Sequence, residues 1–519
     1  MSHRDPPAPE DFTPVPAFVA EAARAAPDRI AVQDESRSLT YGEFDATMNR
    51  VAAALERDGV QPGDTIAIAA ASSVEYLATF LGATRIGVAV VPLPVSATRE
   101  SLAAMLADSG ARALFVDESA AALFDAPAIA FERDFAAWLA PEGARPAPVA
   151  IDPHAVFNTI YSSGTTGAPK GIDQSHAMRF VHTRRRLLSG YDADAVTLVS
   201  TPLYSNTTLV SVFPALSGGG RVVLMKKFEA RRFLEIAERD RVTHAMLVPV
   251  QYARLLAHPD FDRFDLSSFR MKFSTSAPFA ASLKRETLQR WPGGLMEYYG
   301  MTEGGGTCIL AAHLHPDKLH TVGPPAEGHD IRLIDVEGRE VPRGEVGEVV
   351  GRSPSMMNAY RNAPDKTAEA EWRDAEGRRF IRTGDVGRFD EDGFLVLLDR
   401  RKDMIISGGF NIFPSDLEAA LRARPEVLEA AVVGVPSAAW GETPVGFVVL
   451  RPGVVVEAET LRTQVNAKLG KMQRLAALRI VEALPRNAIG KVLKRELREG
   501  FGEALRGATG SLVCGSGPA

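Results

Sequence analysis

Two cysteines in 519 residues, Cys308 and Cys514, stand far apart and outside any CxxC pattern. That scarcity excludes a disulfide framework and a cysteine-based zinc site. Charge of one sign is also lacking. Lys and Arg number 59 against 65 Asp and Glu, for a formal charge of -6, which argues against a general nucleic-acid or polyanion binder. No long apolar run is present either. The most apolar stretch, 65–95, contains Glu75 and Arg85 and closes on Pro92 and Pro94. A membrane span wants ~20 uninterrupted apolar residues, so this stretch reads as a buried strand–helix–strand. The first residues, MSHRDPPAPEDFTPVP, are polar and Pro-rich with no apolar h-region, so a cytoplasmic protein is expected.

What is present is an ordinary globular composition, 45% hydrophobic and 24% charged, with length for about three or four structural units. After a loose lead-in over 1–16, strand-like and helix-like runs alternate. Ile30–Gln33, Thr65–Ala70, Val88–Val91, Ala113–Val116, Ala195–Ser200, Arg221–Leu224, Ala245–Val248 and Met271–Ser274 read as strands; Gly42–Asp58 and Val74–Ile86 read as helices. Such alternation predicts α/β subdomains with sheets covered on both faces. After Pro324, short strands at Ile331–Ile334, Gly347–Gly351 and Phe394–Leu398, joined by turns, predict a small β-rich subdomain. From Met404 an α+β pattern begins, with helices over Pro414–Arg424 and Glu457–Leu469 and strands over Leu428–Val435 and Val445–Leu450. The expected organisation is therefore a large N-terminal domain over 17–399, a hinge at 400–403, a small mobile α+β lid domain over 404–501, and a disordered tail over 502–519.

Chemistry concentrates first in Tyr161-Ser162-Ser163-Gly164-Thr165-Thr166-Gly167-Ala168-Pro169-Lys170-Gly171, which follows the strand-like 156–160. Its glycines permit close backbone approach, its amides and the hydroxyls of Ser162, Ser163, Thr165 and Thr166 supply donors, and Lys170 supplies positive charge; together they suit a polyphosphate. No Gly-Lys-Ser/Thr follows the glycines, so this is not a Walker A loop. Further along stand Tyr298-Tyr299-Gly300-Met301-Thr302-Glu303, Arg382-Thr383-Gly384-Asp385, Asp399-Arg400-Arg401-Lys402-Asp403, Ile406-Ser407-Gly408-Gly409-Phe410-Asn411 and Pro485-Arg486-Asn487-Ala488-Ile489-Gly490-Lys491.

These motifs in this order resemble the adenylate-forming superfamily of acyl-CoA synthetases, peptide-synthetase adenylation domains and luciferases, 4-coumarate and fatty-acid CoA ligases among them. The likeness runs from about residue 15 to 500. It implies that ATP activates a carboxylic acid to acyl-AMP with release of pyrophosphate, and that the acyl group then passes to coenzyme A. The alternative is a stand-alone adenylation enzyme that loads a carrier-protein thiol. ATP, Mg²⁺ and coenzyme A are implied as substrates and ion, with no tightly bound prosthetic group; no membrane span and a monomer or homodimer are expected.

The resemblance also implies roles. Lys491, Thr302 and Glu303 are the catalytic set, with Glu303 holding Mg²⁺. The nucleotide meets Ser162, Ser163, Gly164, Thr165, Thr166, Gly167, Lys170, Ser276, Ala277, Pro278, Tyr298, Tyr299, Gly300, Thr302, Asp385 and Arg400. Lys402 is the hinge. Ser407, Gly408, Gly409, Trp440, Lys471 and Arg474 meet coenzyme A. Tyr204, Ser205, Thr275 and Gly300 form the acyl pocket. Two positions depart from the family pattern: Ser205 stands where a gating histidine often sits, and Thr275 replaces a usual glycine. With Arg254 as the one cationic candidate for the acyl end, an apolar monoacid is expected, aryl or hydroxycinnamic on one hand, medium-to-long-chain fatty on the other. His313, His315 and His320 read as loop residues, and Arg184–Arg186 as a solvated helix face or a surface on the coenzyme A side.

Overall fold

A computed structural model describes residues 11–162, 169–400, 403–407, 410–437, 440–470, 473–486 and 492–501. The chain divides into two compact units, one of residues 1–332, 350–383 and 393–395, the other of residues 333–349, 384–392 and 396–519. The fold is mixed α/β and α+β, with a large N-terminal and a smaller C-terminal domain.

Two sheets organise the first unit. One has eight strands in the order Gly304–Ala311, Gly294–Met301, Met271–Ser274, His244–Leu247, Val196–Val199, Arg221–Leu224, Ile30–Gln33 and Ser38–Thr40. Its inner neighbours are parallel, while the outermost pair at each end is antiparallel. The other has seven strands in the order Ala359–Tyr360, Lys170–Ser175, Val156–Ser162, Ala89–Pro92, Thr65–Ala69, Ala113–Val116 and Ile129–Ala130. Thr65–Ala69 and Ala89–Pro92 are buried at every position. That explains their unbroken apolar sequence, since parallel strands covered on both faces have no solvated side to alternate with. The helix Val74–Arg85 is buried almost all round, as its sequence demands.

Local signals fix where these elements start. Thr40 and Glu43 form a reciprocal capping box, Thr40 Oγ1 accepting from Glu43 N at 3.2 Å and Glu43 Oε2 accepting from Thr40 N at 2.8 Å, which opens the helix Tyr41–Arg57. Ser73 and Thr98 cap the helices Val74–Arg85 and Arg99–Ser109 by accepting from Tyr76 N and Ser101 N.

The expected β-rich region is a five-stranded sheet ordering Asp330–Ile334, Gly347–Arg352, Arg379–Phe389 and Glu371–Arg373, with Leu395–Arg400 beside Arg379–Phe389. The second unit carries the sheet Phe410–Ile412, Ile405–Ser407, Gly441–Leu450 and Val427–Ser437, with Ala477–Ile480 parallel to Gly441–Leu450. Leu417 and Leu421 of the helix Pro414–Arg422 and Leu461 and Val465 of the helix Ala458–Asn466 are buried in its core.

Of the basic run, Arg184 is exposed and lies over the Phe180 ring at 5.2 Å, and Arg186 lies over Phe18 at 4.8 Å. In both contacts it is the guanidinium group that lies over the ring. His313 bonds the backbone of Leu295 and His315 packs edge-on to Phe394 at 5.1 Å. Among the described residues, no helix is long and apolar enough to cross a membrane, and no group of three His, Cys, Asp or Glu is placed to hold a metal ion.

Candidate active site

The phosphate-loop motif joins two antiparallel strands. Val156–Ser162 and Lys170–Ser175 pair with Ile160 opposite Ile172 and Ser162 opposite Lys170. Ser163, Gly164, Thr165, Thr166 and Gly167 lie outside the described residues. Gly171 is required by packing: a Cβ there would stand 2.9 Å from Thr159 Cγ2 and 3.2 Å from Arg361 Cβ.

Past this hairpin the seven-stranded sheet ends on Ala359–Tyr360, whose Tyr360 pairs with Ile172. That pairing delivers a residue the motifs do not single out. The Tyr360 hydroxyl donates to Glu303 Oε1 at 2.7 Å, and Lys170 Nζ sits 5.1 Å over the Tyr360 ring. Burial, reinforced by the Glu303 charge, pushes the phenol far above its usual range, so it stays a donor. Glu303 O accepts from Met357 N at 2.8 Å. Gly304, at φ +82°, makes the turn after Glu303; a Cβ there would fall 1.9 Å from Ser355 O. Lys170, Thr302 and Glu303 thus belong to one neighbourhood, and among the described residues the Glu303 carboxylate is bonded through Oε1.

Beneath Thr302 lies a largely buried polar network that the motifs also do not reveal. Arg179, fully buried on the helix His176–Thr183, donates to Asn158 Oδ1 and Asn206 Oδ1, both at 2.8 Å, and to Gln174 Oε1. Asn158 Nδ2 donates to the same Gln174 oxygen at 3.0 Å. With Oε1 claimed by two donors, the Gln174 amide has one orientation, and its Nε2 donates to Thr302 O at 2.7 Å. Both strands flanking the phosphate loop therefore feed the turn that carries Thr302.

Thr275, Ser276, Ala277 and Pro278 follow the strand Met271–Ser274. Ser276 holds φ +77°, in the left-handed region that a non-glycine residue occupies only when its surroundings enforce it. Its Oγ meets Thr207 Oγ1 at 2.6 Å, which ties this turn to the helix Asn206–Ser217. Tyr204 and Ser205 immediately precede that helix; Ser205 is buried and Tyr204 half-buried. Arg254, the cationic candidate for the acyl end, is exposed on the helix Pro249–Leu256.

Tyr299 and Tyr298 are neighbours in the strand Gly294–Met301, so their side chains leave opposite faces. Tyr299 is half-buried and Gly300 exposed, while Tyr298 is buried. The Tyr298 ring stacks on Phe273 at 5.9 Å and 23°, Phe273 stacks on Tyr191 at 5.6 Å, and Tyr191 stacks on His244 at 4.5 Å. His244 Nε2 lies 2.9 Å from Ser189 O, which can only accept, so the proton is on Nε2. Burial pushes this imidazole down to about 4, so it is neutral at pH 7.

In the second unit, Asp385 lies on the strand Arg379–Phe389 and Arg400 ends the strand Leu395–Arg400. Ser407, Trp440 and Arg474 line one cleft of about 560 Å³ together with Thr443, Arg462 and Asn466. Asn466 exchanges two hydrogen bonds with the Leu475 backbone, at 2.8 and 3.0 Å, and Arg462 donates to Leu475 O at 3.0 Å. These bonds fix the wall next to the exposed Arg474. Lys402, Gly408, Gly409, Lys471 and Lys491 lie outside the described residues.

Comparison with known proteins gives this geometry its context. The family model described as AMP-binding enzyme matches residues 19–361, and that described as AMP-binding enzyme C-terminal domain matches 416–491. The chain is 34% identical to the fatty acid–[acyl-carrier-protein] ligase ScoC of Streptomyces coeruleorubidus, covering 93% of this chain and 96% of that protein. It is equally 34% identical to a feruloyl-CoA synthase of an Amycolatopsis species, covering 92% and 97%. The crystal structure of ATP-bound MatB from Rhodopseudomonas palustris superposes with a TM-score of 0.84 at 28% identity, covering 94% of this chain and 99% of that one. With both family models matched in order and relatives this similar along almost the whole length, the chain belongs to the AMP-binding enzyme family, the AMP-forming acid–thiol ligases.

Proposed function

We propose that this enzyme condenses a carboxylic acid with ATP to acyl-AMP and pyrophosphate, and then transfers the acyl group to coenzyme A, releasing AMP. The observation that carries the reading is the cluster of Lys170, Tyr360, Glu303 and Thr302 beside a phosphate-type loop, in a chain whose relatives include CoA ligases.

No general base is needed. A carboxylic acid with a pKa near ~4 is ionised at neutral pH, so its own oxygen attacks the α-phosphorus and the bond to pyrophosphate breaks. The protein's work is to align two anions and to neutralise the charge that builds on the phosphoryl oxygens. Ser162, Ser163, Gly164, Thr165, Thr166, Gly167 and Lys170 cradle the phosphates. Ser276, Ala277, Pro278, Tyr299 and Gly300 flank the adenine. Asp385 and Arg400 take the ribose, a carboxylate accepting from both hydroxyls. Thr302 donates to the α-phosphate, and Lys491 brings a full positive charge to it.

Glu303 fits the part of holding Mg²⁺. Tyr360 occupies only one carboxylate oxygen, and a lone carboxylate completed by nucleotide oxygens and water is how Mg²⁺ is commonly held. When bound with ATP, the ion offsets phosphate charge. In the second step, rotation about Lys402 brings Ser407, Gly408 and Gly409 to the thiol's path, while Trp440, Lys471 and Arg474 receive the nucleotide end of coenzyme A. The cleft supports this reading because it unites a flat aromatic surface with an exposed guanidinium. Lys402→Pro is expected to slow thioester formation several-fold more than acyl-AMP formation, because proline fixes φ where the hinge must turn. Unchanged turnover in both half-reactions removes Lys402 from this role.

Similarity to ScoC, a ligase named for an acyl-carrier protein, favours one second reading, in which the accepting thiol is carried by a protein. A panel of aryl and aliphatic acids, scored for AMP release with and without coenzyme A, tests both. Release that depends on coenzyme A is expected. Pyrophosphate release that coenzyme A never accelerates, with acyl transfer to a phosphopantetheinyl protein, supports the second reading instead.

A further inference from the structure

The part proposed for Thr302 needs its hydroxyl at a fixed point, yet the residue sits in a turn between the strands Gly294–Met301 and Gly304–Ala311. Such a turn holds its place only if its backbone is bound from outside. Here two successive carbonyls are held by segments distant in the chain: Glu303 O accepts from Met357 N at 2.8 Å, and Thr302 O accepts from Gln174 Nε2 at 2.7 Å. The second bond has an elaborate support. Gln174, Asn158 and Arg179 are all fully buried, and taking amides and a guanidinium out of water is unfavourable unless their donors and acceptors are paired. Asn158 and Gln174 stand opposite each other where Val156–Ser162 pairs with Lys170–Ser175, so their side chains meet. Arg179 reaches both, Nε donating to Asn158 and Nη2 to Gln174 Oε1, while Nη1 donates to Asn206 and the guanidinium lies 5.7 Å over the Phe213 ring. Apolar side chains would fill this space without the desolvation penalty. What the polar set adds is direction, because two donors on Gln174 Oε1 leave Nε2 aimed at Thr302 O.

We infer that Gln174 is a positioning residue for acyl-AMP formation. It acts through the backbone of Thr302 to set where the Thr302 hydroxyl meets the α-phosphate, and Arg179 with Asn158 locks its amide in the orientation that does so. This rests on the role proposed above for Thr302.

The test is pyrophosphate release by the full chain, with whichever of benzoate, ferulate, hexanoate and dodecanoate the wild type turns over fastest. The variants are Gln174→Leu, Gln174→Glu, Thr302→Val and the double Gln174→Glu/Thr302→Val. Gln174→Glu keeps oxygens for Arg179 and Asn158 and loses only the N–H that faces Thr302 O, which guards against a fold that leucine disturbs. In both Gln174 variants kcat is expected to fall about 10-fold or more, the order of cost of a small misplacement at the reacting centre, while KM for ATP moves less than about 3-fold, as when a contact made mainly in the transition state is weakened. The double variant should be within about 2-fold of Thr302→Val alone, since the two residues act as one unit. Wild-type kcat in a folded Gln174→Glu protein, or losses that multiply in the double variant, overturn the positioning role and leave the reaction standing. Wild-type kcat in Thr302→Val overturns the part given to Thr302 and that of Gln174 with it. Pyrophosphate from no acid with the wild type overturns the reaction, and the positioning role with it.

Discussion

Lys491→Ala is expected to slow acyl-AMP formation by about 10²–10³-fold, the range seen when one donor to a developing oxyanion is removed, while thioester formation from supplied acyl-AMP stays near the wild-type rate. The split follows from charge. In the first half-reaction two anions meet and negative charge gathers on the phosphoryl oxygens, so a cation aimed there stabilises the transition state more than the ground state. In the second, as proposed, a thiol attacks an acyl carbon and AMP departs, and a lysine that serves the first step has no charge build-up of that kind to offset. Two assays separate the steps: exchange of labelled pyrophosphate into ATP for the first, and consumption of synthetic acyl-AMP with coenzyme A for the second. Equal loss in both would count against a lysine used in one step only. Loss in neither would remove Lys491 from the chemistry.

The second large effect is on stability. Lys284→Met is expected to destabilise the protein by about 3–5 kcal/mol, as breaking one side of a buried ion pair does. Lys284 and Glu297 are ion-paired with side chains 2% and 6% exposed. Lys284 Nζ also donates to Leu319 O at 2.9 Å and Thr321 O at 3.0 Å. Burial pushes the Glu297 carboxyl up to about 7 against the pull of Lys284. Such a group keeps in the folded state a proton that the unfolded chain gives up above about 4.5. Its contribution to stability is accordingly lost as pH rises through the folded value. Without Lys284 that value climbs further, so the deficit relative to wild type should be largest near pH 8 and shrink toward pH 5.5. Urea unfolding at the two pH values measures this. The double variant Lys284→Met/Glu297→Leu should regain much of the loss, since a packed apolar pair replaces a charge without a partner. A deficit below about 1 kcal/mol that does not change with pH would mean that Glu297 does not depend on Lys284. The pair matters to the site because Glu297 immediately precedes Tyr298 and Tyr299 on the strand Gly294–Met301.

Much of this molecule was legible along the chain. The apolar runs at Thr65–Ala69 and Ala89–Pro92 announced strands covered on both faces, and the pattern over Gly42–Asp58 announced the helix Tyr41–Arg57. Such signals are local, because capping and burial periodicity act within a few residues. The site was legible only where its parts are contiguous. Thr302 and Glu303 stand together in sequence, but Tyr360, which holds Glu303, is 57 residues away and arrives through pairing with Lys170–Ser175. Gln174 carries no sign of its bond to Thr302 O, 128 residues on. Arg254 was a candidate cation by chain position, yet the rotation of its helix puts it in solvent.

The sequence by itself determined the class of fold, the order of the motifs and the family, since each rests on residue types at short spacing. Tertiary structure alone decided which face Tyr298 takes into the core, which partners fix the Thr302 turn, and which residues gather around the second unit's cleft. The physical reason is the range of the forces involved. Propensity and pattern say which residues must leave water, whereas the neighbour that receives them is chosen by strand order and packing among segments far apart in the chain.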